Sequence, residues 1–249
     1  MLNETLSIMY KRKSVRVFED KKISEDIKQQ ILRAAIQAPT AGNSMFYSII
    51  DVTDQKIKDR LAVTCDNQPF IAKAPLVLIF AADYRRWLRK FAQADCEAIR
   101  PLGMGDLLLA ANDAVIAAHT ACMAAESLGI GSCYIGDIIE NWEIHRELLS
   151  LPEFTAPVSM LVFGYPTEQQ RARAQPGRFP KEMIVFENSY RDLSGDELKE
   201  YMSDDKAKAY YHRKYASDFS EEMNRSAAEI VKNWSSQLRS GGKPQDPKL

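Results

Sequence analysis

Arg12-Lys13-Ser14-Val15-Arg16 places three cations and a hydroxyl within five residues. On an extended backbone the side chains at 12, 14 and 16 point the same way, because successive Cβ atoms alternate across a strand. Arg12, Ser14 and Arg16 can then close on one phosphate, with arginine offering paired donors that match its oxygens. The run fits a solvated basic turn as well, and taken alone that reading is favoured, since charge clusters usually lie at a surface. Ala38-Pro39-Thr40-Ala41-Gly42-Asn43 is small and turn-forming, which lets backbone approach a flat ligand closely. An ordinary helix-to-strand loop has the same composition. Leu128-Gly129-Ile130-Gly131-Ser132 and Tyr134-Ile135-Gly136-Asp137 bracket a short strand with glycines. This is either a backbone cradle or a helix C-cap followed by a bulge. It is not the dinucleotide fingerprint, in which the glycines follow a strand and open a helix. A basic loop from Arg171 to Arg178-Phe179-Pro180 decides nothing by itself.

The elements that must position these stretches are legible from periodicity and caps. A first helix is expected from Asn3 to about Lys11. A second begins at the N-cap Ser24, with Glu25 and Asp26 in its positive first turn. Ile27, Ile31, Ala34, Ala35 and Ala38 keep helical spacing, and Pro39 ends the helix. Strands are expected at Phe46–Val52, Pro75–Ala82, Ser132–Ile135 and Pro157–Phe163. Short helices are expected at Asp54–Ala62 and Trp142–Leu149. Asp106–Leu128 is the most apolar helix, with Gly129 placed to end it. Ile116, Ala117, Ala118, Ala121, Cys122, Ala124 and Ala125 make it apolar nearly all round, so every side must be covered. A homodimer does this naturally, with Ala114, Ala117, Ala118 and Ala121 allowing close approach across a two-fold axis. After Gly195 the composition changes. The chain divides into a domain at 1–195, a charged, sign-balanced helical arm at 196–239, and a Gly/Pro-rich tail at 240–249 expected to be disordered.

Composition narrows the function classes. The 249 residues are 45% hydrophobic, enough for a substantial core, and the net charge is -1. Such a balance excludes broad nucleic-acid binding, which needs surplus cations, but leaves room for a local anion site. The long apolar run is broken by Asn112, Asp113 and His119, which are costly in lipid, so it reads as a buried soluble helix and no membrane is expected. Met1–Tyr10 has no secretory pattern, so Cys65, Cys96, Cys122 and Cys133 are expected as free thiols of a cytoplasmic protein. No CxxC pair is present among them, which argues against structural zinc. His119, His145 and His212 have no triad spacing and read as structural.

In combination these stretches resemble the nitroreductase family of flavoproteins. The resemblance rests on Arg12-Lys13-Ser14-Val15-Arg16, Ala38-Pro39-Thr40, and Gln68 ahead of Ala74-Pro75. It continues through Leu128–Gly131, Tyr134-Ile135-Gly136, Gly164-Tyr165-Pro166, Arg178-Phe179-Pro180 and Phe186–Tyr190, covering about residues 4–193. The C-terminal arm is similar, less distinctly, to the longer NADPH-preferring branch. The resemblance implies an α+β fold, with a mixed β-sheet sandwiched by helices in an intertwined homodimer and FMN at the subunit interface. Arg12, Ser14 and Arg16, with Lys13 beside them, would hold the FMN phosphate and ribityl chain. Thr40 and Asn43 would contact flavin from the partner subunit, and Gln68 would hydrogen-bond the isoalloxazine. The backbone at Tyr134, Ile135, Gly136 and Asp137 would face the flavin N5 edge, and Arg178 would be a second phosphate contact. Two positions depart from the family pattern. Met45-Phe46 stands where a glutamine usually follows the asparagine, and Pro176 stands where a lysine usually precedes the arginine, leaving Arg173 as a substitute.

The implied activity is ping-pong electron transfer from NADPH or NADH through FMN to a nitroaromatic, quinone or flavin acceptor, with no side-chain nucleophile or metal. The flavin carries the redox chemistry and the protein orients it. The competing readings are a non-catalytic flavin store or redox sensor, a dehalogenase or ring-modifying enzyme of the same family, and an interaction protein built on the charged arm.

Overall fold

The computed structural model describes residues 3–96 and 99–236; the expected tail at 240–249 lies outside them. The first helices begin where their caps are. Asn3 Oδ1 accepts from the Leu6 amide at 2.9 Å and starts α1 (Glu4–Lys11). Ser24 Oγ accepts from the Ile27 amide at 3.4 Å and starts α2 (Glu25–Ile36). Asp54 caps α3 (Gln55–Thr64) in the same way. The remaining helices are α4 (Phe70–Lys73), α5 (Arg85–Gln93), α6 (Met104–Ser127), α7 (Trp142–Leu148), α8 (Glu168–Ala172), α9 (Gly195–Tyr201), α10 (Asp204–Tyr210) and α11 (Asp218–Ser236). Helix α5 was not foreseen from the sequence, although Trp87, Leu88, Phe91 and Ala92 keep helical spacing between its cations.

Four strands, β1 (Tyr47–Asp51), β2 (Leu76–Asp83), β3 (Gly131–Ile135) and β4 (Thr155–Gly164), pair antiparallel in the order β1-β2-β4-β3. The mixed character expected of the sheet reduces, among the described residues, to one parallel bridge between Ser14 and Ser132. Pro157 sits within the central strand β4 at a bulge: Ser159 pairs with Phe80 and Pro157 with Ala81, leaving Val158 over. A bulge is where a central strand tolerates a residue that cannot donate.

Helices cover both faces of the sheet. Leu76, Leu78 and Phe80 of β2 pack with Ile31 and Ala35 of α2 and the alanines of α6. Val77 and Ile79, pointing the other way, pack with Leu61 of α3 and Ile71 of α4. This is the sandwiched α+β arrangement, and it comes from period-two alternation along β2.

Helix α6 has the length and apolarity of a membrane span, yet it packs as the core helix of this sandwich, against α2 and all four strands. Its small residues differ from expectation. Ala114, Ala117, Ala118 and Ala121 are fully buried within the single chain, against α2 and the sheet, so they are not available to a partner. The face left in solvent is Leu108, Leu109, Val115 and Ile116. Small residues let α6 approach its own sheet closely; the bulky ones remain for another surface.

The chain after Gly195 is not uniform. Helices α9 and α10 bury no residue. Helix α11 buries Ser226, Ile230 and Trp234, and the last two join a cluster with Leu88, Trp142 and Phe154.

Candidate functional site

The basic segment is extended and lies along the free edge of β3. The Val15 amide donates to the Ser132 carbonyl at 2.8 Å, which fixes alternation of its side chains. Val15 is buried and faces the glycine pair Gly131–Gly164, the first register pair of β3 and β4. A Cβ on Gly131 would stand 2.5 Å from Val15 Cγ2, and one on Gly164 would stand 2.6 Å from Phe18 Cδ1. Only glycine at both positions lets the segment lie this close. Gly129 has a separate task, ending α6 with φ +74.

The other side of the segment carries Arg12, Ser14 and Arg16. Arg12 stands by Cys122 and Tyr134, while Ser14 and Arg16 stand by the Cys133 thiol; burial raises the pKa of all three acidic groups, and these neighbours offset it. Arg12 and Ser14 are half-buried and Arg16 is exposed. Lys13 points away, its Nζ donating to the carbonyls of Arg171 (2.6 Å) and Arg173. The segment's backbone is held by Gln170 and Gln175, which were not singled out in the sequence, and by Arg173, which was named there as a substitute cation. Gln170 Oε1 accepts from the Arg16 amide at 3.3 Å, Gln175 donates to the Arg12 carbonyl at 2.9 Å, and the Arg173 guanidinium donates to the Ser14 carbonyl.

Beside this segment, β3 runs into a 3-10 turn, Gly136–Ile139. Tyr134 is half-buried, the Ile135 side chain is buried in the core, and Gly136 is exposed with open space around it. Any ligand contact at 135 and 136 is therefore through backbone. Gln68 Nε2 donates to Asp137 Oδ2 at 3.0 Å and to the Cys65 carbonyl at 2.9 Å, so two predicted residues meet. Glu140, buried just behind them, is pushed up to about 7 by burial and then by the like charges of Asp137, Asp66 and Glu222.

The loop at 40–46 is hung from the helices α5 and α6. Asp113, buried on α6, accepts from the amides of Ala41 (2.9 Å) and Phe46 (3.1 Å). Arg86 donates to the Met45 carbonyl at 3.2 Å, and Trp87 Nε1 donates to the Ser44 carbonyl at 2.7 Å. Thr40 Oγ1 accepts from the Met45 amide at 3.2 Å. Gly42, Asn43 and Met45 all take positive φ, between 53° and 56°. For the two non-glycine residues that conformation costs of order 1 kcal/mol each and persists only because the surroundings impose it. In the sequence Asp113 stood out only as a charge costly in lipid; its signal as a loop anchor was an acid inside an otherwise apolar helix.

Among the described residues, Arg178 makes no hydrogen bond to the segment at 12–16. Its carbonyl accepts from the Tyr201 hydroxyl, and it lines a cleft of ≈ 830 Å³ with Phe179, Tyr201, Lys206, Tyr210 and Arg213. Arg173 hydrogen-bonds the basic segment instead.

Residues 9–165 match the Nitroreductase family. The chain is 32% identical over 243 residues to FMN reductase [NAD(P)H] of Bacillus subtilis, covering 96% of this chain and 91% of that protein. It is 31% identical to the oxygen-insensitive NADPH nitroreductase of Salmonella typhimurium, covering 84% and 83%. Among solved structures, B. megaterium NfrA2 superposes with a TM-score of 0.76 at 30% identity, covering 96% of each chain. The NADPH:FMN oxidoreductase from Vibrio harveyi complexed with NAD+ superposes with a TM-score of 0.77 at 28% identity, covering 92% and 98%. The matched span holds β1 to β4, the basic segment and the turn after β3, and on this ground the chain belongs to the Nitroreductase family.

Proposed function

We propose that the chain is an FMN-dependent NAD(P)H oxidoreductase acting as a homodimer. Electrons pass from NADPH or NADH to a small aromatic, quinone-like or flavin acceptor by ping-pong exchange. The observation that carries the reading is the placement of Arg12, Ser14 and Arg16 on one side of an extended segment, beside the turn that holds Gln68 against Asp137.

The residues fit FMN in the chemistry of their donors. Two guanidinium groups and a hydroxyl suit a dianionic phosphate. The exposed backbone at Gly136 and the Gln68 amide suit the edge of a flat, hydrogen-bonding ring. When bound, FMN supplies the hydride and electron exchange. The chain's own residues hold the phosphate, present backbone to the ring edge, and place positive charge where reduction accumulates negative charge. Arg178 belongs elsewhere in this scheme. The cleft it shares with Lys206, Arg213 and three aromatic rings suits the phosphates and base of the pyridine nucleotide. The relatives are named as reductases and oxidoreductases, which favours turnover over a flavin store.

A second copy of the chain is the natural cover for Leu108, Leu109, Val115 and Ile116 of α6. Thr40 and Asn43, held by α5 and α6, would then approach the partner's flavin. A soluble, cytoplasmic setting goes with this reading.

Purified protein is expected to be yellow, to release FMN on heating at one per chain, and to bleach anaerobically with NADPH. Arg16→Ala is expected to raise the FMN dissociation constant at least tenfold, since a charge-assisted hydrogen bond contributes roughly 1.5–3 kcal/mol. Release of FAD, or no flavin bound with FMN in excess, would remove the reading; unchanged affinity in Arg16→Ala would place that side chain in solvent.

A further inference from the structure

The turn after β3 is pinned residue by residue from elements far away in sequence. Asp137 is held by Gln68. The Ile138 carbonyl bonds Nδ1 of the buried His145 at 2.9 Å. The Asn141 side chain donates to the Thr64 carbonyl at 2.9 Å, at the end of α3. The remaining bonds come from α11. Glu222 Oε1 accepts from the Asn141 amide at 3.0 Å. The Ser226 hydroxyl accepts from the Trp142 amide at 3.0 Å and donates to the Ile139 carbonyl at 2.6 Å.

Ser226 is fully buried, and its position has a definite cause. Helix α7 starts at Asn141, which lies in the left-handed region at φ 50° and gives no side-chain cap to its own helix. The first amides of a helix have no intrahelical partner and need an acceptor from elsewhere. Ser226 supplies one from another helix while holding the last carbonyl of the 3-10 turn. A single hydroxyl therefore ties the end of Gly136–Ile139 to the start of α7. Glu222 accepts from the amide one residue earlier, and is itself gripped by Arg225 at 2.8 Å, which also binds Glu143 of α7 at 2.9 Å.

We propose that Ser226, seconded by Glu222, is a positioning residue for the flavin, with α11 as the backstop that sets where the backbone of 136–139 meets the ring edge. The inference rests on the FMN reading above and gives the C-terminal helix a role in that site. Ser226 touches neither flavin nor substrate; it acts through the turn.

The test uses the FMN-loaded protein. Ser226→Ala removes the shared hydroxyl, Ser226→Thr keeps it, and Ile230→Val trims a buried contact of the same helix while leaving the hydrogen bonds to the turn in place. Four quantities are read: thermal midpoint, visible circular dichroism of bound FMN, its midpoint potential, and kcat against KM for NADPH. Ser226→Ala is expected to change the flavin dichroism and the potential and to lower kcat roughly five- to tenfold, the loss of one to two hydrogen bonds in the turn, with KM little changed. Ser226→Thr should restore the wild-type spectrum and potential. Ile230→Val should lower the thermal midpoint alone. If Ser226→Ala does not fold, Glu222→Ala carries the same flavin readouts. A loaded variant with wild-type dichroism and potential, differing only in thermal midpoint, would overturn the proposal while leaving the FMN reading intact. A wild-type protein that takes up no FMN would overturn both, and that outcome is seen before any variant is made.

Discussion

On the inward side of α6, Ala114, Ala117, Ala118 and Ala121 are sealed against α2 and the sheet; on the outward side, Leu108 is 56% and Ile116 40% exposed. Both sides are apolar. They differ in size: small residues face the chain's own sheet, and large ones face out. The inward side also carries a carboxylate, Asp113, which would be expensive there without partners and has two in the amides of Ala41 and Phe46. Close packing of a helix on a sheet requires small side chains, whereas contact with a separate surface benefits from large ones that bury more area. An all-round apolar helix therefore carries, in the sizes of its residues, a division between what one chain covers and what is left for a second.

The sharpest way to break this comparison is to place the same charge on each side. Ala118→Glu puts a carboxylate into a position with no space and no partner, and is expected to cost at least about 4 kcal/mol and leave little soluble protein. Ile116→Glu is expected to leave the fold and the thermal midpoint of the single chain nearly intact while shifting light scattering from dimer to monomer. A folded dimer from Ile116→Glu would mean that the outward face is not the contact between copies.

Asp113 sharpens the comparison at the next level of effect. Asp113→Ala leaves the part-buried amides of Ala41 and Phe46 without their acceptor and releases a loop with three positive-φ residues. The expected loss is roughly 3 kcal/mol in urea unfolding, at about 1.5 kcal/mol for each hydrogen bond to a charged group. Because the loop carries Thr40 and Asn43, FMN affinity should fall in the same variant. Stability loss without any change in affinity would separate that loop from the flavin.

How much of this was legible in the sequence varied with the kind of signal. Asn3, Ser24 and Asp54 announced their helices because capping is local chemistry. The strands followed from alternation and from runs of β-branched residues. The basic segment was legible as a clamp only together with the stretches around it; what fixes it in the fold is the glycine pair Gly131–Gly164, which makes room for Val15 and Phe18. No local pattern states that two glycines in different strands will face one another. Gln68 and Asp137 were singled out separately, and their contact depends on the packing of α3 against the turn after β3. Arg178 was singled out by its order in the chain; what the sequence did not state is that its carbonyl accepts from Tyr201 and that it lines a cleft with Arg213. Long-range placement of an exposed loop is set by what it meets, and the sequence of the loop does not contain that.

The smallest expected effect lies at the C-terminal end of α6, where the inward face meets the basic segment. Glu126 is half-buried, and its Oε1 is buried without a hydrogen-bond partner. Burial pushes its carboxyl up to about 7, against the opposing pull of Arg12 and Lys13. The folded protein thus binds this proton more tightly than the unfolded chain does. The stabilisation it brings is complete below the ordinary carboxylate range, and is lost as pH rises through the folded value near 7. Glu126→Gln removes the titration. The variant should gain on the wild type by roughly 2–3 kcal/mol between pH 5 and pH 8, measured by urea midpoints at the two pH values. The same change removes a negative charge beside Arg12 and Lys13, so FMN should bind the variant more tightly at pH 8 than it binds the wild type, with little difference at pH 5. A difference in affinity that does not depend on pH would mean that Glu126 is ionised throughout, held so by the two cations beside it.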